Sequence, residues 1–324
     1  MPEDWNGDLV MYLHGYEPKG TPRTGEIGQK DLGEWLLSGG YAVAQSSYST
    51  QGWAVAEAQA DNERLRQQVV ALYGKPRRTF LIGHSMGGHL VLASLERHPD
   101  AYDGALALCG ANAPAAEIFA DGVAAPLIAF DYFFPGALGL APGGLADSAS
   151  PPGVDPAALE TALKGNEAHA RVLAERFDLL REDLAGALMI RYLVLHEMTQ
   201  RAGGFPVDNR DVAYAGFGDD NAFNAGVRRY SGDAQAMAYA RNNASLTGQA
   251  RKPVVVLSNL NDPTVPEQFS SRYAALAKAV GNDSNVVVLP PRGKGHCAFT
   301  PEDVDQAFDA LATWVGTGNR PASP

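Results

Sequence analysis

The sequence predicts an α/β domain built on a mostly parallel sheet and interrupted by one long, mainly helical insertion. Three observations carry this. Short apolar runs of strand length alternate with helix-length patterns over the first hundred residues. The alternation stops across residues 111–251, where Gly, Pro, Ala and aromatic residues give way to helical spacing. It resumes at Lys252 and continues towards the C-terminus. Strands separated by helices of this length imply right-handed crossovers.

Taken in order, residues 9–13 are an apolar run ending at His14-Gly15. Residues 26–37 have helical spacing and stop at Gly39-Gly40. Residues 41–47 read as a strand, 55–73 as a long helix closed by Gly74, and 79–83 as a strand. Residues 86–98 read as a helix ended before Pro99, and 105–109 as a strand. In the insertion, residues 111–156 carry the run Phe130-Asp131-Tyr132-Phe133-Phe134-Pro135. Helices are predicted at 156–163, 166–198 and 233–243, with a Gly/Asn/Asp-rich stretch at 203–232. Strand 253–258, helix 266–280 and strand 285–289 follow. Thr300 as N-cap, Pro301 at the first helical position, and Glu302 and Asp303 in the first turn open a last helix to about residue 315. Residues 316–324 are expected to be disordered. The domain reading is a core of residues 1–110 and 252–324 around an insertion of residues 111–251.

Composition narrows the function classes. The 324 residues include 37 Asp and Glu against 26 Lys and Arg, a net charge of −11. That balance argues against nucleic-acid binding, which needs clustered positive charge. No apolar run approaches the ~18 residues that span a bilayer. Met1 is not followed by a leader pattern, which fits a cytoplasmic protein or a secreted one with its leader removed. Two cysteines, Cys109 and Cys297, make no disulfide framework and have no metal-ligand spacing. Two small buried apolar side chains are one account of them. No metal or cofactor is expected.

The chemistry is carried by Gly83-His84-Ser85-Met86-Gly87, a G-x-S-x-G pattern between a predicted strand and a predicted helix. A sharp turn there brings backbone segments too close for a Cβ, which is why glycines flank the serine, and Gly88 adds to the packing. The turn leaves the serine Oγ clear at a helix N-terminus. Free N–H groups and the positive dipole end there favour a developing negative charge.

On these residues the chain resembles the α/β-hydrolase superfamily of serine esterases and lipases, over residues 9–109 and 253–315. The resemblance implies a triad in the chain order serine, acid, histidine. Ser85 matches the nucleophile. Asp262 matches the acid, in the loop Asn261-Asp262-Pro263-Thr264-Val265-Pro266, with Asp283 a weaker rival and an Asx turn the structural alternative. His296, after the last strand, matches the histidine and is the only one beyond residue 196. The oxyanion donors would be the N–H groups of Met86 and Tyr16. His14 would brace its loop and His84 would shape the nucleophile's surroundings. Both are candidate substrate contacts, with Tyr132, Phe133 and Phe134 from the insertion, whose aromatic residues otherwise form its own core. The family usually has two antiparallel strands before residue 9. Either the sheet is trimmed to six strands or those strands lie upstream.

The implied reaction is hydrolysis of a small-molecule carboxylic ester through an acyl-enzyme, with aromatic or bulky apolar esters favoured. A peptidase or amidase of the same fold, or a catalytically silent binding protein, are the alternatives. The resemblance also places Cys109 and Cys297 near one edge of the sheet, so a disulfide between them is a second account of the pair. It would tether the histidine loop and imply an oxidising compartment.

Overall fold

The computed structural model describes residues 1–23 and 30–322. They form two bodies. The first comprises Met1–Ala113, Leu246–Leu260 and Glu267–Pro324, and the second Pro114–Ser245 and Asn261–Pro266. The short segment carrying Asp262 thus groups with the insertion, where the sequence reading placed it in the core.

In the first body, six strands form one sheet: β1 (Asp8–Leu13), β2 (Ala42–Gln45), β3 (Arg78–His84), β4 (Gly104–Leu108), β5 (Val254–Leu257) and β6 (Val286–Val288). The order is β2-β1-β3-β4-β5-β6, and every neighbouring pair is parallel. Each lies within a few residues of a predicted strand. Chain order reverses at β1, which pairs with β2 on one side and β3 on the other. Loops leaving β1 and β3 therefore diverge, and the crevice between them is where sheets of this kind bind ligands.

Helices α1 (Lys30–Ser38), α2 (Val55–Tyr73) and α3 (Met86–Arg97) connect the first strands. Residues 26–29 of the first predicted helix lie outside the described residues. The helix predicted at 266–280 is two, Glu267–Ser270 and Arg272–Ala279. The last helix, Pro301–Thr317, opens with the capping box Thr300–Asp303. It passes its expected end because nothing stops it before Gly318, whose φ of 79° terminates it.

One face of the sheet buries an aromatic cluster. Phe308 of the last helix meets Phe80, Tyr41 and Trp35 edge-on at 5.5, 5.3 and 5.7 Å, an arrangement that matches ring edges to ring faces. Val10, Ile82, Leu106, Val255 and Val287 from five strands complete the layer.

The second body contains the helices Ala125–Phe133, Pro156–Gly165, Glu167–Arg176, Leu184–Ala202, Asp220–Gly226 and Ala234–Ala244. No strand occurs in it among the described residues. The long helix predicted at 166–198 is two, parted around Asp178, which takes a φ of 53°. No Gly or Pro marks that break, so periodicity reads through it. The Gly-, Pro-, Ala- and aromatic-rich stretch at 111–156, to which the sequence assigned no element, holds a π-helical turn, Ile118–Ala124, running into the helix Ala125–Phe133. Phe130, Phe134, Phe205, Phe217 and Phe223 are buried in this body, with Phe217 and Phe223 stacked at 4.0 Å. Tyr132 and Phe133 are half-buried and line a cleft of about 570 Å³ with His169, Val172, Phe217 and Phe223. Among the described residues, no helix is long and apolar enough to cross a membrane.

At the end of the sheet where β1 and β3 begin, Asp8 is fully buried and takes two arginines. Arg77 donates through Nε and Nη2 at 2.9 and 3.0 Å, and Arg78 through Nη2 at 2.7 Å. Burial alone would raise the Asp8 carboxyl pKa, but the two guanidinium groups outweigh it and hold it below the ordinary value. The pair stabilises the fold above the unfolded carboxylate pKa of about 4, and the effect fades as pH falls through the lower folded value. Asp8→Asn should cost about 2 kcal/mol near neutral pH. That is less than the ~3–5 kcal/mol for breaking a fully buried pair, because Arg77 stays largely in water. Urea unfolding of both proteins checks this, and the difference should narrow as pH falls below about 4.

Candidate active site

Ser85 is the turn between β3 and α3. Its backbone sits at φ 57°, ψ −124°, a conformation an L-residue adopts only when its surroundings impose it. The surroundings here are backbone. A Cβ on Gly83 would strike the Gly87 carbonyl, and one on Gly87 the Leu13 carbonyl at the end of β1. A Cβ on Gly88 would come within 2.8 Å of Gly110 Cα, beyond β4. Ser85 N–H donates to the Leu108 carbonyl at 2.9 Å, which locks the turn to β4. The serine is half-buried while residues 79–84 and 86–95 around it are buried. Met86 opens α3, so its N–H has no acceptor within the helix.

His296 reaches this serine. Its Nε2 lies 2.8 Å from Ser85 Oγ, hydrogen-bond distance for a hydroxyl donating to a neutral imidazole. Three devices hold its loop. Backbone bonds run along residues 258–260: Arg292 N–H to Ser258 O, Leu260 N–H to Gly293 O and Gly295 N–H to Leu260 O, at 2.9–3.0 Å. The Asn259 amide donates to Arg292 O at 2.7 Å. The third is a disulfide between Cys297, the next residue, and Cys109, just past β4. The pairing left open by the sequence is therefore formed.

The β1 loop lies against Ser85. A Cβ on Gly15 would sit 3.2 Å from Ser85 Cβ and from the His84 carbonyl, so Gly15 keeps the loop that carries Tyr16 at the serine. His14 is held within its own loop. Its Nδ1–H donates to Gly15 O at 2.9 Å, and its ring stacks on Tyr48 at 3.8 Å. Tyr48 in turn donates its hydroxyl to His14 O at 3.1 Å. Burial lifts the phenol pKa well above its ordinary value, so it stays a donor. His84 is buried, packed near Tyr12 and Phe299. Burial first, then the charge of His296, pushes its pKa down to about 4, which keeps it neutral at ordinary pH.

Asp262 belongs to the second body and is 3% exposed. Its Oδ1 accepts from the N–H groups of Thr264 and Val265 at 2.8 and 2.9 Å. The Asx turn weighed as an alternative is thus present, and it occupies Oδ1, leaving Oδ2 outside the turn. Of the predicted substrate contacts on the insertion, Tyr132 and Phe133 line the cleft and Phe134 is buried against Phe130.

Backbone strain concentrates around these residues. Six non-glycine residues among those described have positive φ: Tyr48, Ser85, Cys109, Asp178, Asn261 and Cys297. All but Asp178 are the serine, neighbours in sequence of His296 or Asp262, the residue bonded to Cys297, or the ring stacked on His14. Such positions cost roughly 1–3 kcal/mol each and cluster where geometry is functional. Sequence reasoning missed Tyr48 and Asn259. Both directly follow predicted strands, at the sheet edge where sites of this fold lie, and that position was the available signal.

The disulfide closes a loop of 188 residues. Chain entropy puts its worth at up to about 5 kcal/mol, with ~2–5 kcal/mol typical for native bridges. Reductant should lower the unfolding midpoint of the wild type by that equivalent and leave a Cys109→Ala/Cys297→Ala protein unmoved. An unchanged wild-type midpoint would mean the thiols are free in solution.

Residues 27–173, just under half of the chain, match the protein-family model described as "Putative esterase". No curated protein matches the sequence. Among solved structures, an esterase of Pyrococcus furiosus is similar at 15% identity and a TM-score of 0.47, over 97% of this chain and 84% of that one. The rice cell wall degrading esterase LipA from Xanthomonas oryzae is similar at 15% identity and a TM-score of 0.45, over 96% and 83%. An acylaminoacyl peptidase of Pyrococcus horikoshii is similar at 12% identity and a TM-score of 0.46, over 91% of this chain and 34% of that one. With six parallel strands and a serine at the strained turn after β3, this chain has the α/β-hydrolase fold, and its similarity to the esterase-type family model spans that turn.

Proposed function

We propose that this protein is a serine esterase acting on a small carboxylic ester through an acyl-enzyme, with Ser85, His296 and Asp262 as its triad. The observation that carries the reading is the 2.8 Å contact between His296 Nε2 and Ser85 Oγ on the strained turn.

In the first half-reaction Ser85 Oγ attacks the ester carbonyl carbon while its proton passes to His296 Nε2. The carbonyl oxygen becomes an oxyanion, stabilised by the N–H groups of Met86 and Tyr16 and by the N-terminal dipole of α3. His296 then returns the proton to the departing alkoxide, and an alcohol leaves. Water repeats the sequence on the acyl-enzyme, releasing the acid and restoring Ser85. Asp262, whose Oδ1 is anchored by the turn, orients the imidazole and stabilises its protonated form. Each oxyanion donor contributes roughly 3–4 kcal/mol to the transition state. The aromatic residues of the insertion, Tyr132, Phe133 and Phe134 among them, support a preference for an ester with an aromatic or bulky apolar part.

Hydrolysis of p-nitrophenyl esters from acetate to octanoate, with one aromatic acid, tests this in wild type and Ser85→Ala. The wild type should turn over several of them, and Ser85→Ala should lose at least about 10³-fold in kcat. Equal rates in both proteins would remove Ser85 as the nucleophile. Wild-type cleavage of anilides in preference to the matching esters would move the assignment to an amidase.

A further inference from the structure

Arg191 lies on the helix Leu184–Ala202 of the second body and is 4% exposed. A guanidinium is seldom buried without a purpose, because its charge must leave water. Its hydrogen bonds join three pieces of that body. Nη1 donates to Ala187 O, one turn earlier, at 2.9 Å, and to Pro263 O in the acid loop at 2.8 Å. Nε donates to Gly122 O in the π-helical turn at 2.9 Å. All three acceptors are uncharged carbonyls. Burial pushes the Arg191 pKa down to about 10, so the group remains a cation at neutral pH, and the carboxylate charge that supports it is Asp262.

We infer that Arg191 is a positioning residue for the catalytic acid: it fixes the Asp262–Val265 turn through the Pro263 carbonyl and supplies the counter-charge to the Asp262 carboxylate. The inference rests on the reading of Asp262 as the triad acid. The Pro263 carbonyl belongs to the same peptide plane as the Thr264 N–H that donates to the Asp262 carboxylate, so a bond from Arg191 to that carbonyl fixes the plane that holds the acid. The Val265 N–H adds a second bond to the same carboxylate oxygen. Arginine suits the task because one planar fork reaches several acceptors at once, whereas lysine offers a single point of attachment.

The test is a double-mutant cycle on a p-nitrophenyl ester, with Arg191→Met, Asp262→Asn and the double variant, kcat and KM read separately. Arg191→Met should lower kcat by about 10–100-fold with KM within about two-fold. In the Asp262→Asn background the same substitution should cost less than about three-fold, because the group it acts through is already gone. Arg191→Lys, which keeps the charge, should recover part of kcat. It also serves as the cycle's second variant if Arg191→Met fails to fold by circular dichroism. Equal losses in both backgrounds, or a change confined to KM, would overturn the role of Arg191 alone. Wild-type activity in Asp262→Asn would overturn the triad reading and this inference with it.

Discussion

At the elbow, the Leu13 carbonyl of β1 lies so close to Gly87 that no side chain fits between the sheet and the first turn of α3. The rest of the site depends on that approach. It forces Ser85 into a backbone conformation that serine would not choose, and so lifts Oγ out of an otherwise buried stretch. It sets the β1 loop against Ser85, with Gly15 as close as a residue without a side chain can come. It aims the helix N-terminus at the space above Oγ, where the charge of an acyl-transfer transition state develops. One packing constraint thus fixes the serine, the helix terminus beside it and the β1 loop together.

The two ends of the sheet divide their duties. Where β1 and β3 begin, Asp8 and its two arginines clamp neighbouring strands, and this serves stability alone. Where the strands end, bonds are spent on aiming side chains. His296 is held by a backbone ladder, by Asn259 and by a disulfide to the end of β4. The β1 loop is held by a tyrosine stacked beneath a histidine. Strained residues gather at this end, which is the expected pattern when a fold stabilised elsewhere carries unfavourable geometry at a working site. In the insertion, Arg191 repeats the logic by committing a buried cation to one loop.

Much of this was legible in the sequence because the core obeys local rules. Strand–helix alternation gave all six strands, and the glycines around Ser85 gave the elbow, since both are dictated by backbone sterics within a few residues. His296 was singled out by the resemblance, from its place after the last strand, and its Nε2 lies 2.8 Å from Ser85 Oγ. The insertion was less legible. Its helices break without Gly or Pro at Asp178, and one begins in a Gly/Pro/Ala-rich stretch through a π-helical turn. Tyr48, Asn259 and Arg191 escaped for another reason. Each acts through a partner more than 30 residues away, and no local pattern records such a contact. The cysteines show the limit most clearly. The same two residues suit a buried pair of thiols or a bond, and only their placement 5.4 Å apart at Cα decides.

The central claim is that the strained serine on the elbow is the activated nucleophile, and covalent trapping tests it most directly. The protein is treated with a fluorophosphonate, its intact mass is measured and the adduct is mapped by peptide sequencing. The account predicts one adduct, on Ser85, that forms in the wild type, is lost in Ser85→Ala and forms far more slowly in His296→Ala. An adduct on any other residue, or none on a folded protein, would contradict it.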